Sequence, residues 1–201
     1  MEAEKEIRFS VLEESWRKAI EFSEPLKGTQ KMMDITMGAY GFSSLAETGR
    51  IFRVRQIGDK ITLEIKQRTE ENEWLEQAIK LENVKQGINF LMLSGLDPYL
   101  FIDRTREVRK FKSLKIFMDD IDLLGKFIEI EYQESVDAQK EIMEFLALTQ
   151  IETEPQPLYG DIFKQKVETD PMFKSAFESK LTKILTQDTE SNQQTSEKRE
   201  V

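Results

Sequence analysis

The sequence of 201 residues contains neither cysteine nor histidine. Without cysteine the chain has no disulfide bond, thiolate nucleophile or zinc–thiolate site. Without histidine it lacks the commonest general base, and every Ser–His and Cys–His catalytic arrangement is excluded. Any catalysis must therefore depend on carboxylates, lysine, arginine, tyrosine or a bound metal ion.

The chain also lacks a long apolar segment and an excess of basic residues. No apolar run approaches the roughly 20 residues of a membrane span, and the N-terminus is acidic rather than signal-like. The net charge of −9 argues against general affinity for nucleic acid or anionic membranes, because such binding needs a basic surface. We therefore expect a cytoplasmic protein with neither kind of partner, although a local basic cavity is compatible with this charge.

Apolar and charged residues are both abundant, at 39% and 33% of the chain. The apolar fraction is sufficient for the core of one domain, which we assign to residues 1–185, including helices at its C-terminal end. Residues 186–201 have no periodicity and almost no apolar side chains, so they are predicted to form a disordered polar tail.

Alternation of charged and apolar residues predicts a series of antiparallel strands, with Gly58-Asp59 as a hairpin turn between two of them. A weak strand is predicted from Lys31 to Met37 and another near Glu73 to Leu81. Ser10 opens a capping-box pattern that predicts a helix to about Phe22. Further helices are predicted from Asn83, from Ser135, and as two short segments on either side of Asp170-Pro171.

Like charges recur at positions i and i+2 of the predicted strands, and such residues share one face of a strand. Two carboxylates repel each other at this spacing, yet it occurs in Glu4/Glu6 and again in Glu129/Glu131. Arginine is doubled in the same way in Arg53/Arg55 and in Arg104/Arg106. Carboxylate pairs suit Mg²⁺ or Mn²⁺ and arginine pairs suit phosphate oxygens, so a metal–polyphosphate would satisfy both sets. The alternative is an ordinary sheet whose charged face is solvated.

Five segments, taken in order, resemble the motifs of the CYTH domain, the family of triphosphate tunnel metalloenzymes. The resemblance covers about residues 2–133. Its parts are Glu4-Lys5-Glu6-Ile7-Arg8, Phe52-Arg53-Val54-Arg55, Lys66, Arg104-Thr105-Arg106, and Asp119 followed by Leu124-Gly125-Lys126-Phe127-Ile128-Glu129-Ile130-Glu131.

The resemblance implies an α+β fold in which a closed eight-stranded antiparallel β-barrel carries helices on its outside. The charged face would then line the tunnel. It further implies Mg²⁺ or Mn²⁺ as cofactor, held by Glu4, Glu6, Asp119, Glu129 and Glu131. The implied triphosphate-binding residues are Arg8, Arg53, Arg55, Lys66, Arg104 and Arg106, and catalytic roles are expected for Glu4, Glu6, Lys66 and Arg106.

Within the family, the sequence most resembles the class IV adenylyl cyclases of bacteria and archaea. This resemblance implies conversion of ATP to cyclic AMP and pyrophosphate. A triphosphatase acting on inorganic triphosphate, thiamine triphosphate or a nucleoside triphosphate is the alternative, and a non-catalytic polyphosphate-binding or nucleotide-binding domain is a further one. A monomer or a homodimer is expected.

The role of several residues in the predicted strands is open between two interpretations. Phe117 and Trp74 are either core residues or contacts for a nucleotide base. Lys115 is a weaker phosphate candidate, and Glu64 is expected to pair with a base on its own face. The pattern does not fix the register of the strand near Glu73–Glu76, so neither of those glutamates is assigned a role.

Overall fold

The computed structural model describes residues 4–70 and 73–190, which form eight strands and six α-helices in those ranges. The strands are β1 Glu4–Ser10, β2 Glu24–Gly38, β3 Arg50–Ile57, β4 Lys60–Glu70, β5 Glu73–Leu81, β6 Asp97–Phe111, β7 Leu114–Ile121 and β8 Gly125–Gln133. The helices are α1 Glu13–Phe22, α2 Ser44–Thr48, α3 Val84–Leu93, α4 Val136–Thr149, α5 Tyr159–Thr169 and α6 Pro171–Glu190, with a 3₁₀ turn at Gly41–Ser43.

All eight strands belong to one antiparallel sheet, in the order β1-β8-β7-β6-β2-β3-β4-β5. The sheet curls into a half-barrel with helices outside it, so the predicted α+β class and the eight antiparallel strands are confirmed. Its curl brings Lys66 of β4 near enough to Glu6 of β1 for the lysine charge to oppose, in small part, the rise that burial and Glu129 cause in the pKa of that carboxyl.

The predicted closure of the barrel is not observed, and this is a correction to the sequence prediction. Within residues 4–70 and 73–190, β1 and β5 form the two edges of the sheet and do not pair with each other. The backbone of β1 instead accepts hydrogen bonds from the segment after α4. Gln156 N donates to Arg8 O at 2.7 Å, and Thr153 Oγ1 donates to Ser10 O at 2.9 Å.

Apolar side chains on the convex face of the sheet are covered by three helices. Helices α1 and α4 pack over β1, β8 and β7, where Phe9, Ile116, Ile130 and Phe145 are buried together. Helix α3 packs over β3 and β4 at Val54 and neighbouring residues. Burial of this face therefore directs the alternate, charged side chains to the concave face.

Helices α5 and α6 pack against one end of the concave face, where the strands present apolar residues. Ile162, Phe163 and Phe177 of these helices share a core with Leu100 and Phe127 of the sheet. Helix α6 is a long helix of 20 residues rather than a short one. It includes positions 186–190 of the predicted tail, and positions 191–201 lie outside the described residues.

Two helix starts and one turn that were predicted from the sequence are confirmed. Asn83 Oδ1 accepts a hydrogen bond from Gln86 N, Ser135 Oγ accepts one from Ala138 N, and Gly58 adopts a φ of 55° in its turn. The capping box at Ser10 is wrong, because Ser10 still pairs with Phe127 as part of β1. Helix α1 therefore begins at Glu13, without a side-chain cap.

We expect Gly87→Ala to lower the free energy of unfolding by about 1–2 kcal/mol, measured by urea denaturation. Alanine is normally favoured over glycine inside a helix. Here, however, an added Cβ would lie 2.5 Å from Leu81 Cδ1 and 2.7 Å from Val54 Cγ2. Gly160→Ala in α5 is the matched control, because its Cβ would meet Leu100 Cδ2 at an ordinary 3.5 Å. A Gly87→Ala protein more stable than wild type would contradict this packing.

Candidate functional site

The strand register places the predicted site residues together on the concave face. In β1 and β8, Glu6 lies opposite Glu131 and Arg8 lies opposite Glu129. Glu4 shares that face of β1 by register, although its side chain lies outside the described residues. The remaining members of the face are Arg53, Arg55, Lys66, Arg104, Arg106 and Asp119.

Asp119 lies at the centre of this face and is completely buried. Arg106 binds it with two hydrogen bonds of 2.6 Å, and the hydroxyl of Tyr159 donates to it at 2.9 Å. Arg104 approaches to 3.9 Å. Burial alone would raise the pKa of Asp119, but the hydrogen bond from Arg106 and the charge of Arg104 lower the pKa below its ordinary value. Asp119 is therefore a charged residue whose two oxygens are already engaged.

Arg8 and Glu129 form a second buried pair beside it. Arg8 donates to Glu129 Oε2 from Nε at 3.0 Å and from Nη2 at 2.6 Å, and its Nη1 donates to Pro157 O at 3.0 Å. Arg106 reaches the other oxygen of Glu129 at 3.5 Å. Two arginines are thus held on one carboxylate of β8, the strand next to the β1 edge of the sheet.

Asp34 of β2 neutralises the next arginines along the face. Arg55 binds it through two hydrogen bonds of 2.6 and 2.9 Å, and Arg104 donates to it at 3.2 Å. Burial opposes ionisation of Asp34, but these two arginines hold its pKa well below the ordinary range. Sequence reasoning missed Asp34. The available signal was the single carboxylate within Lys31–Met37, between Met32 and Thr36 on the same face.

Glu64 and Glu76 complete the basic half of the site. Arg53 binds Glu64 at 2.6 Å, as expected for Glu64, and Arg55 lies 3.5 Å from the same carboxylate. The β4–β5 register puts Glu76 opposite Lys66, and the two side chains pair at 2.8 Å. The hydrogen bond from Lys66 lowers the pKa of Glu76 despite partial burial. Glu76, which was assigned no role from the sequence, therefore belongs to the same set of ion pairs.

These contacts join into one network of alternating charge, with ion pairs of 3.9 Å or less, that crosses every strand of the sheet. Its order is Glu6, Arg8, Glu129, Arg106, Asp119, Arg104, Asp34, Arg55, Glu64, Arg53, Glu76 and Lys66. Such a network can exchange its internal carboxylates for the oxygens of a bound polyanion.

One nitrogen within the network has no partner. Among the described residues, Arg104 Nε is the single buried side-chain nitrogen or oxygen without a hydrogen bond. Arg104 is 6% exposed, and burial together with the charge of Arg106 lowers its pKa. A buried donor without an acceptor is destabilising, so a ligand oxygen at this point would be favourable.

The carboxylates proposed as metal ligands are only partly brought together. Glu6 lies directly opposite Glu131 in the β1–β8 register, two positions from the Arg8–Glu129 pair. Burial and the neighbouring charges of Glu129 and Glu131 raise the pKa of Glu6. Neighbouring carboxylates fit a hard divalent cation in donor type. The part of the chain that the structure describes nevertheless holds no group of three carboxylates arranged as a metal site. Asp119, engaged by Arg106 and Tyr159, stands apart from them.

Phe117 lies on the concave face, beneath two cations. The guanidinium carbon of Arg106 is 4.4 Å from the ring centroid, and Lys115 Nζ is 4.7 Å from it. Lys115 also pairs with Glu131 at 2.6 Å. Phe117 is 8% exposed, so its ring supports cations rather than offering a free surface to a nucleotide base. The side chain of Trp74 lies outside the described residues.

Comparison with known proteins identifies the family of this chain. Residues 42–156 match the CYTH domain, which is more than half of the chain. The chain belongs to the CYTH domain family. The matched range contains β3 to β8, whereas the Glu4–Arg8 motif of β1 precedes it. Membership implies triphosphate substrates and a divalent metal ion.

Solved structures show the same fold at low sequence identity. A conserved hypothetical protein from Pyrococcus furiosus has a TM-score of 0.63 at 19% identity, over 79% of this chain and 99% of that one. A candidate adenylate cyclase from Vibrio parahaemolyticus gives 0.57 at 16%, over 81% and 98%. A candidate adenylyl cyclase from Hippeastrum, described as having a dominant triphosphatase activity, gives 0.60 at 16%, over 82% and 96%.

No curated protein sequence matches this CYTH chain. Among its described helices, none has both the length and the apolar character that a membrane span requires.

Asp34→Asn should lower the free energy of unfolding by about 3–5 kcal/mol at pH 7, because Arg55 and Arg104 lose the charge that neutralises them. The pKa of Asp34 is lower in the folded protein. The Asp34 carboxylate therefore stabilises the folded protein fully above its pKa in the unfolded chain, about 4. This contribution is lost as the pH falls through its pKa in the folded protein. Urea denaturation between pH 7 and pH 2 measures both effects.

Asp120→Asn provides the control for this prediction. Asp120 follows Asp119 on the opposite face of β7, where it is exposed and pairs with Lys126 at 3.1 Å. Its replacement should change stability by about 0.5 kcal/mol or less. Equal stability of Asp34→Asn and wild type at pH 7 would show that the buried pair contributes nothing to folding.

Proposed function

We propose that this chain is a divalent-metal-dependent enzyme that binds a triphosphate on the concave face, with conversion of ATP to cyclic AMP and pyrophosphate as its leading reaction. The observation that carries the proposal is the network of buried arginines. Arg8, Arg104 and Arg106 lie on one face and form their ion pairs with internal carboxylates, and among the described residues Arg104 Nε is a buried nitrogen without a hydrogen bond.

A triphosphate would act on this network by replacing its internal counter-ions. Phosphate oxygens accept hydrogen bonds from arginine in the same paired geometry that Asp34 and Asp119 now use. Arg55 and Arg104 would turn from Asp34 to the ligand, and Arg53 and Lys66 would turn from Glu64 and Glu76. These side chains orient the chain of phosphates across the sheet.

In this proposal the sheet closes into a tunnel when the ligand is bound. The edge strands β1 and β5 do not pair, but the charge of Lys66, on the strand next to β5, acts on Glu6 of β1 across the concave face. A polyanion contacting both edges would draw them together. Closure would also exclude water, which strengthens every charge interaction within the site.

The metal ion, Mg²⁺ or Mn²⁺, fits best at the carboxylate edge, where Glu6, Glu129 and Glu131 lie near one another. Glu4 would join them from the same face of β1. When bound there, the cation supplies neutralisation of the negative charge that develops on the phosphate oxygens. Asp119 and Glu129 are both engaged by arginines, so either carboxylate would contact the cation only once the triphosphate draws those arginines away.

Cyclase and triphosphatase reactions differ in which bonds change. In the cyclase, the ribose 3′-oxygen loses its proton and bonds to the α-phosphorus, and pyrophosphate leaves as the bond to the α–β bridging oxygen breaks. In the triphosphatase, water attacks the terminal phosphorus and orthophosphate is released. The second reaction is favoured by one observation: Phe117, a candidate base contact, is covered by Arg106 and Lys115.

Purified protein with Mg²⁺ or Mn²⁺ should be incubated separately with ATP, thiamine triphosphate and inorganic triphosphate. Cyclic AMP together with pyrophosphate, resolved by anion-exchange chromatography, is the expected product from ATP. Orthophosphate from inorganic triphosphate, without cyclic AMP from ATP, would replace the cyclase with the triphosphatase. Absence of product from all three substrates would overturn the enzymatic proposal in favour of a binding domain.

Glu131→Gln should reduce turnover by roughly tenfold to hundredfold and weaken Mn²⁺ binding measured by electron paramagnetic resonance. The substitution preserves the shape of the side chain but removes the negative charge that a hard cation requires. Glu144→Gln is the matched control, since Glu144 lies on α4 and pairs with Lys112 at the surface. Unchanged Mn²⁺ affinity in Glu131→Gln would remove Glu131 from the metal site.

A further inference from the structure

Tyr159 connects the C-terminal helices to two charged residues of the site. It is the first residue of α5, it is 7% exposed, and its hydroxyl donates to Asp119 Oδ2 at 2.9 Å. The guanidinium carbon of Arg8 lies 4.6 Å from the centroid of its ring. One side chain from a helix outside the sheet therefore contacts an acid from β7 and a base from β1.

The backbone just before Tyr159 holds the same arginine. Gln156 N donates to Arg8 O at 2.7 Å, and Arg8 Nη1 donates to Pro157 O at 3.0 Å. The Tyr159 ring also packs edge-on against Phe127 of β8, with centroids 5.3 Å apart. Residues 156–159 thus hold Arg8 by a hydrogen bond to its main chain, a hydrogen bond from its guanidinium and a ring packed against that guanidinium. These contacts add to its pair with Glu129.

We infer that Tyr159 is a positioning residue of the triphosphate site, which holds Asp119 through its hydroxyl and Arg8 through its ring. The inference rests on the proposed function, because it assigns a role toward the same ligand. The hydroxyl occupies one oxygen of Asp119 and so fixes the direction in which that carboxylate holds Arg106. The ring keeps the planar guanidinium of Arg8 above it, in place to receive a phosphate.

Two substitutions separate these contacts. Tyr159→Phe removes the hydroxyl and keeps the ring, whereas Tyr159→Leu removes both. We expect Tyr159→Phe to lower kcat roughly tenfold to hundredfold with KM nearly unchanged, because a hydrogen bond to a charged group near the reacting phosphates is lost. Tyr159→Leu should raise KM as well, and it should weaken binding of inorganic tripolyphosphate measured by calorimetry in the presence of EDTA.

Tyr99→Phe is the matched control. Tyr99 is a partly buried tyrosine that packs edge-on against Phe42, with centroids 5.4 Å apart, and belongs to the apolar cluster rather than to the charged network. Its variant should retain wild-type kcat, KM and Tm. A kcat of Tyr159→Phe equal to that of Tyr99→Phe would overturn the inference. A fall in kcat that merely follows a fall in the folded fraction would do the same.

Crystal structures of the free variants test the inference independently of turnover. Tyr159→Leu should show Arg8 displaced from its place beside residues 157–159 and Asp119 rotated relative to Arg106. If both side chains kept their positions, the positioning role would be overturned even in an active enzyme. If the wild-type protein processed no triphosphate but the displacements occurred, the proposed function would fail while the structural link from α5 to the site stood.

Discussion

The structure depends on the neutralisation of charge inside the concave face of its sheet. Arg106 and Asp119 form its central pair, and Asp119 is completely buried. An uncompensated charge at such a depth is strongly destabilising, whereas a well-bonded pair contributes little net stability compared with apolar packing. The fold therefore gains little by placing arginines here. Its apolar stability comes instead from the convex face, where α1, α3 and α4 cover the sheet, and from the end covered by α5 and α6.

The same constraint explains why the acids and bases alternate across the strands. Each arginine of the network contacts two carboxylates, as Arg104 contacts Asp34 and Asp119 of the strands on either side. Removal of one member leaves its neighbours unpaired, so the effects of substitutions within the network are not additive. An incoming anion likewise changes several pairs at once. Under the proposed function, ligand binding and metal placement would therefore be coupled through one set of side chains.

Periodicity of two in the sequence was sufficient to predict the strands and to put the charged residues on a common face. It could not identify partners, because those depend on the order of strands in space. Asp34 was missed since it stands alone in its strand, and Tyr159 was missed since it lies in a helix beyond a loop. Closure of the barrel was wrongly expected because strand patterns carry no information about whether the two edges meet. The edge of β1 is instead occupied by residues 153–156.

Under the proposed function, the internal carboxylates would also contribute to selectivity. A ligand gains affinity only by the difference between its own contacts and those it displaces. Arg55 and Arg104 already share Asp34, and Arg53 and Lys66 already contact Glu76. A monophosphate could replace one of these carboxylates and would leave the others paired as before. A triphosphate carries enough charged oxygens, along a chain of sufficient length, to replace several together. The arrangement therefore favours extended polyphosphates over small anions without any residue that recognises the phosphate chain length directly.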